Sequence, residues 1–151
     1  MKNLSRIIPY ASLASRIILG GIFIYAGVIK ILDPAGFARD VSNYRMLPDL
    51  LVNPFAVVLP WIEVLAGLSL LLGIWVPAAS LIIGSLLFVF FIALSVSLMQ
   101  GLDISCGCFS TSREAQRITW SFLVRDLVLM AMAALVFLLD TSNSSKHRSG
   151  D

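Results

Sequence analysis

Long apolar segments separated by short polar stretches are the dominant pattern of this chain. Four segments, at residues 12–32, 54–72, 78–99 and 118–139, each approach the roughly 20 mostly apolar residues that a helix needs to cross a bilayer. Their apolar positions run on without the alternating polarity that the strands of a membrane barrel show. The pattern therefore predicts four membrane-spanning helices, because a helix satisfies its backbone hydrogen bonds internally, as lipid requires.

The composition of the chain agrees with this pattern. Of its 151 residues, 58% are hydrophobic and 13% are charged, whereas soluble domains are about 45–50% apolar and about 25% charged. The four segments occupy more than half of the chain, which leaves no room for a separate soluble domain. We therefore predict an all-α fold, an integral membrane four-helix bundle that forms a single domain over residues 1–140. A disordered polar tail is expected at residues 141–151.

The first outer loop, at residues 33–53, carries a second periodic pattern. Phe37, Val41, Tyr44 and Leu47 are spaced by 4, 3 and 3 residues, which places them on one face of a helix. This spacing predicts a short amphipathic helix in the first outer loop, lying on the outer end of the bundle. There it could cover the second outer loop.

Ionisable residues inside the predicted spans are candidates for a polar site. Glu63 and Arg125 lie about 13 Å and about 10 Å inside their spans, at 1.5 Å per residue, and both spans enter from the same side. An unpaired charge in the bilayer costs at least about 2.5–3.5 kcal/mol. We therefore predict a Glu63–Arg125 ion pair, with Asp126 and the hydroxyl of Tyr25 nearby. Such a pair can fix the register of the helices or serve a function.

The only two cysteines of the chain, Cys106 and Cys108, flank Gly107 in the second outer loop. A redox pair is the favoured interpretation, because Arg113, Arg117 and the start of the following helix would stabilise a thiolate. A disulfide closed across one glycine would also be strained and easily reduced. Two other interpretations stay open: the thiolates could hold a soft ion such as Cu(I) or Hg(II), or the pair could be inert.

The distribution of positive charge bears on the orientation of the bundle. An even number of spans puts both termini on one side and the two outer loops on the other. The count is equal, with Lys2, Arg6, Lys146 and Arg148 on the terminal side and Arg39, Arg45, Arg113 and Arg117 opposite. Arg16 extends the first cluster, and a stable disulfide needs an oxidising compartment. We predict cytoplasmic termini and a periplasmic Cys loop, with Arg16 and Lys30 reaching the headgroups from their helix ends.

Several stretches of this sequence also resemble a known family, the DoxX/MauE family of small four-helix membrane proteins. The resemblance lies in RIILGG, YAGVIKILDP, YRMLP, LPWIE and GLDISCGCF, which begin at residues 16, 25, 44, 59 and 101. The Cys-Gly-Cys-Phe motif, followed by Arg125-Asp126, is similar to the MauE-type branch. The resemblance covers about residues 16–139.

This resemblance implies a redox-associated protein of the bacterial inner membrane. The MauE type is tied to the maturation of methylamine dehydrogenase, a periplasmic enzyme rich in disulfides, alongside a thioredoxin-like partner. DoxX relatives are linked to quinone-coupled sulfur oxidation and to oxidative-stress complexes. We expect no nucleic-acid partner and no resident metal.

The resulting hypothesis is a component of a thiol–disulfide oxidoreductase. Cys106 and Cys108 would exchange with a periplasmic thioredoxin-like protein or a disulfide-containing client. Electrons would pass to or from a carrier in the bundle, with quinone as the candidate cofactor and Glu63, Arg125, Asp126 and Tyr25 as its candidate binding residues. The alternatives are a soft-metal (Cu or Hg) binding or transport protein and a non-enzymatic assembly subunit of a redox complex.

Overall fold

The computed structural model of this protein describes residues 4–43, 47–99 and 120–148. Over these ranges the regular elements are five α-helices, which confirms the predicted all-α class. In chain order they are α1 (Leu4–Leu32), α2 (Pro34–Asn43), α3 (Asp49–Leu72), α4 (Val76–Met99) and α5 (Trp120–Arg148).

Three helices of the described ranges are long and apolar enough to cross a bilayer. These candidate spans are Tyr10–Leu32, Asp49–Leu72 and Val76–Val96, and they coincide with the first three predicted spans. Together with the all-helical fold, they identify a membrane protein. The fourth predicted span coincides with α5, whose described part carries Arg125, Asp126 and Asp140, and it stays a prediction.

The ends of two helices differ from the sequence prediction. α3 begins at Asp49, so that Pro54 lies inside the helix rather than in its first turn. The amide of Leu51 donates to the carbonyl of Pro48 at 2.8 Å, which starts the helix before the first internal proline is reached. α5 continues to Arg148, through the stretch for which a disordered tail was predicted. There the hydroxyl of Thr141 donates to the carbonyl of Phe137 at 2.9 Å and so follows the helical course.

The short helix α2 is the amphipathic helix that the first outer loop predicted. Asp33 caps it, because its Oδ1 accepts a hydrogen bond from the amide of Gly36 at 2.8 Å, and Pro34 occupies the first helical position. Phe37 and Val41 are buried against α3, where they pack with Val52, Ala56 and Leu59. α2 therefore closes one end of the bundle.

α1 and α3 approach each other so closely that their backbones almost touch. A Cβ atom added to Gly20 would lie 2.8 Å from the carbonyl oxygen of Gly67, and one added to Gly67 would lie 2.8 Å from that of Gly20. One added to Gly27 would lie 2.8 Å from the carbonyl oxygen of Pro60. These contacts show that the two helices run antiparallel. They also show why the approach requires residues without side chains.

α4 and α5 form a second antiparallel pair that packs on the first. Gly84 of α4 faces Ala133 of α5, and a Cβ atom added to Gly84 would lie 3.9 Å from that of Ala133. The core between the two pairs is apolar and includes Leu19, Phe23, Leu70, Ile83, Leu129 and Val136. Phe90, in the second half of α4, and Arg125, near the start of α5, line one cavity together with Lys30 of α1, so the end of α4 and the start of α5 lie at the same end of the bundle as α2.

At the opposite end of the α1–α3 pair, the side chain of Arg16 binds the end of α3. Gly73 ends α3 in the left-handed region at φ 73°, and the amides of Gly73 and Ile74 donate to the carbonyl of Ser69. Arg16 donates from Nε and Nη2 to the carbonyl of Leu70, both at 3.2 Å. The unpaired carbonyls at the end of α3 attract the guanidinium of Arg16, and the prediction that Arg16 reaches the headgroups stays a prediction.

The glycine contact generates a prediction with an adjacent control. Gly20→Ala forces a methyl group against the Gly67 carbonyl and the Leu71 side chain, whereas Gly21 is exposed and a Cβ there would meet nothing within 4 Å. Both substitutions gain the same helix propensity, so their difference reports the contact alone. We expect Gly20→Ala to be less stable than Gly21→Ala by about 1–3 kcal/mol, measured as the free energy of unfolding in mixed micelles. Equal values for the two variants would contradict the contact.

Candidate functional site

The two predicted catalytic residues, Cys106 and Cys108, lie outside the described residues, so their pairing stays a prediction. They belong to the segment 100–119, which joins the end of α4 to the start of α5. Both helix ends lie at the end of the bundle that α2 closes. The cysteine segment is therefore attached at this end.

Four charged side chains meet inside the bundle at the same end. They are Lys30 of α1, Glu63 of α3, and Arg125 and Asp126 of α5, and all four line one small cavity. Lys30 is 2% exposed, Glu63 1% and Asp126 3%. Arg125 is partly exposed. A polar cluster with this little exposure is costly in a membrane protein unless its charges are paired.

The partner of Glu63 is Lys30. The Nζ of Lys30 donates to Oε1 of Glu63 at 2.6 Å, which is the short distance typical of a charge-assisted hydrogen bond. Two predictions are corrected by this contact. Glu63 forms its ion pair with Lys30 rather than with Arg125, and Lys30 does not extend to the headgroups. The cause is α2, which covers the end of α1 and leaves the ammonium group facing α3.

Two aromatic rings complete the surroundings of Lys30. Its Nζ lies 4.9 Å from the ring centroid of Phe37 on α2 and 4.9 Å from that of Phe90 on α4. Both distances are within the range of a cation–π interaction. The ammonium group is therefore held by contacts from α2, α3 and α4 at once, which makes it the point where these elements meet.

Arg125 and Asp126 form the second charged pair of the site. Oδ1 of Asp126 accepts hydrogen bonds from Nε of Arg125 at 3.4 Å and from Nη2 at 3.2 Å. Asp126 was predicted to lie near Glu63 and Arg125, and all three residues line the same cavity. Tyr25 is 58% exposed and is not among the residues that line the cavity, so its place near the pair stays a prediction.

The size of the cavity limits what can bind beside these charges. It has a volume of about 30 Å³, whereas pockets for small organic ligands are about 300–1,000 Å³. The cavity next to Glu63 and Asp126 is therefore smaller than a pocket of that kind, and the quinone stays a prediction. Within residues 4–43, 47–99 and 120–148, no group of three or more His, Cys, Asp or Glu side chains is placed to hold a metal ion.

Comparison with known proteins adds an independent observation. Residues 8–139 match the family model described as "Methylamine utilisation protein MauE". The chain belongs to the MauE family. The match includes the polar cluster and both cysteines, and it confirms the MauE part of the sequence resemblance. The DoxX part stays a prediction.

Curated members of the MauE family are similar over most of this chain. The Methylamine utilization protein MauE of Paracoccus denitrificans is 34% identical over 129 residues, which cover 85% of this chain and 69% of that protein. The protein of the same name from Paracoccus versutus is 35% identical over 126 residues, with 83% and 67% covered. That from Methylophilus methylotrophus is 31% identical over 137 residues, with 90% and 70% covered. No solved structure matches the chain.

Lys30 is the residue of this site that sequence reasoning missed. A signal for it was present, because Gly20, Gly27 and Lys30 are separated by 7 and 3 residues and so share one face of α1. The face that approaches α3 through its glycines therefore also carries the lysine. Its position near the end of an apolar segment suggested exposure, and only α2 removes it from the headgroup region.

The buried pair predicts a non-additive pattern of stability. Lys30→Met leaves the Glu63 carboxylate buried without its partner, and we expect a loss of about 3–5 kcal/mol in the free energy of unfolding. Glu63→Met should cost about as much. The double variant should regain most of the lost stability, because two apolar side chains of similar volume replace both charges. The measurement is unfolding in mixed micelles for the four proteins of the cycle.

Arg16 supplies the matched control for this cycle. It lies at the opposite end of the α1–α3 pair, so the losses caused by Arg16→Met and Glu63→Met should simply add. Additive losses for Lys30→Met and Glu63→Met as well would contradict the ion pair.

Proposed function

We propose that this chain is an accessory membrane protein of methylamine utilisation that acts by thiol–disulfide exchange at Cys106 and Cys108. The observation that carries the proposal is the MauE family match, which extends over residues 8–139 and so includes both cysteines. The relatives from Paracoccus denitrificans and Methylophilus methylotrophus carry methylamine utilisation in their names. The exchange chemistry itself is supported by the spacing of the thiols.

The exchange proceeds through a mixed disulfide. The thiolate of one cysteine attacks a disulfide sulfur of the client, which forms the mixed disulfide and releases the client's other sulfur as a thiolate. The second cysteine then attacks the mixed disulfide, so that the Cys106–Cys108 bond forms and the client leaves as a dithiol. Run in reverse, the same two steps oxidise the client and reduce the cysteine pair. The proposed partner is a periplasmic thioredoxin-like protein or a disulfide-containing client of the methylamine dehydrogenase type.

The attachment of the cysteine segment favours this chemistry. Segment 100–119 joins two helices that contribute Phe90 and Arg125 to the lining of the cavity beside Glu63, so the helices on both sides of the segment are packed in the bundle. The proposed arrangement has four spans in the bacterial inner membrane, with cytoplasmic termini and the Cys loop in the periplasm. In that compartment a disulfide can persist and clients are available.

Alkylation of intact membranes tests the redox state of the pair directly. The chain has only two cysteines, so each addition of a maleimide reports one of them. For protein taken from oxidising membranes we expect no label before reduction and two labels after it. Cys106→Ser and Cys108→Ser should each give one label without reductant, or a disulfide-linked adduct with the partner. A membrane-impermeant maleimide applied to spheroplasts should react with the reduced pair, because the loop faces the periplasm.

The same experiment distinguishes the alternatives. Two thiols that label equally with and without reductant would contradict exchange. Label that appears after a soft-metal chelator rather than after reductant would indicate a Cu or Hg site. If labelling changes with redox state but neither single variant forms an adduct with a partner, the chain would be an assembly subunit that only senses redox state.

Complementation tests the proposed pathway. In a Paracoccus denitrificans strain that lacks its own MauE, we expect this chain to support growth on methylamine, with the Paracoccus versutus protein as positive control. The variant with serine at both 106 and 108 should reach the same level in the membrane and fail to support growth. Growth with that variant would show that methylamine utilisation does not depend on the thiols.

A further inference from the structure

The carboxylate of Glu63 is only half satisfied. Its Oε1 accepts the hydrogen bond from Lys30, whereas its Oε2 is fully buried and has no hydrogen-bond partner among the described residues. A carboxylate oxygen accepts up to two hydrogen bonds, and leaving one buried without any donor is costly. The side chain is 1% exposed, so bulk solvent does not supply the donor.

Glu63 borders the cavity that also touches the second charged pair. This cavity has a volume of about 30 Å³, and a water molecule requires about 10–15 Å³ measured in this way. Its lining includes all four members of the polar cluster, Lys30, Glu63, Arg125 and Asp126. Apolar side chains form most of the lining, but the cavity is roomy enough for water, and Oε2 of Glu63 with its charged neighbours offers the two to four polar partners that a buried water needs; without such partners a cavity of this size stays dry.

We propose that this cavity is a water-binding site, in which one or two water molecules donate to Oε2 of Glu63 and connect the Lys30–Glu63 pair to the Arg125–Asp126 pair. The ligand is water because the charges of the four side chains already balance, two positive and two negative, so that no further ion is required. The water site extends the polar link of α1 and α3 to the start of α5. It stands independently of the proposed exchange at the cysteines.

The proposal predicts whether a substitution that fills the cavity raises or lowers the stability of the protein. Ala26 is buried and lines the cavity, and Ala26→Val would place additional methyl groups there. Filling a dry cavity restores contacts and raises stability, whereas displacing water from Oε2 leaves the carboxylate without a donor and lowers it. We therefore expect Ala26→Val to lower the midpoint temperature of unfolding by several degrees.

A double-mutant cycle separates the loss of water from simple overpacking. In the Lys30→Met/Glu63→Met background no carboxylate remains at position 63, so Ala26→Val should lower the midpoint much less there. The control is Ala133→Val, a buried alanine outside this cavity, whose effect should be the same in both backgrounds. Equal effects of Ala26→Val in the two backgrounds, or stabilisation of the native background, would overturn the proposal.

Radiolytic footprinting supplies a second measurement on the unmodified protein, which does not depend on any variant folding. Hydroxyl radicals formed from bound water label the side chains next to it. Leu87 lines the cavity, whereas Leu70 is equally a core leucine but does not. We expect labelling of Leu87 and none of Leu70. Two leucines that are equally unlabelled would indicate a dry cavity and would overturn the proposal.

Discussion

The ion pair between Lys30 and Glu63 is the constraint on which the rest of this structure depends. Neither charge can be left alone inside a lipid-embedded bundle, so α1 and α3 must face each other at these two positions. The same ammonium group contacts Phe37 of α2 and Phe90 of α4. One buried cation thus determines how three further helices meet at this end of the molecule. A pair of this kind adds little net stability, because desolvation offsets the attraction, but it disfavours any other register.

The Lys30–Glu63 pair can fix the register of α1 and α3 because the two helices also contact each other along the rest of their length. At one end, Arg16 donates to the carbonyl of Leu70 in the last turn of α3. In the middle, Gly20 and Gly67 bring the backbones into contact. A hydrogen-bonded cation therefore lies at each end of a contact that only glycine permits. This arrangement joins α1 and α3 along their length, and the α4–α5 pair and α2 pack against them through apolar side chains.

Much of this fold could be predicted from the sequence, because apolar length and periodicity report directly on membrane spans and on α2. The depth of Glu63 was predictable for the same reason, and so was its need for a partner. The identity of that partner was not. Spacing along a helix places Arg125 at a depth similar to that of Glu63 and places Lys30 near the end of its span, whereas the actual partner depends on which helices are neighbours. Gly20 and Gly27 decide it, together with α2, which turns Lys30 inward instead of toward the headgroups.

The position of the polar cluster has a consequence for the cysteine segment. A bridge between Cys106 and Cys108 would close too small a ring to stabilise the fold, so its formation and loss would leave the bundle intact. The position of segment 100–119 must then be set by α4 and α5, the helices that precede and follow it. Phe90 and Arg125 both line the cavity beside Glu63, and this packs α4 and α5 against the α1–α3 pair. In the proposed exchange, the helices on both sides of the segment would therefore keep their positions while the cysteine pair changes its covalent state.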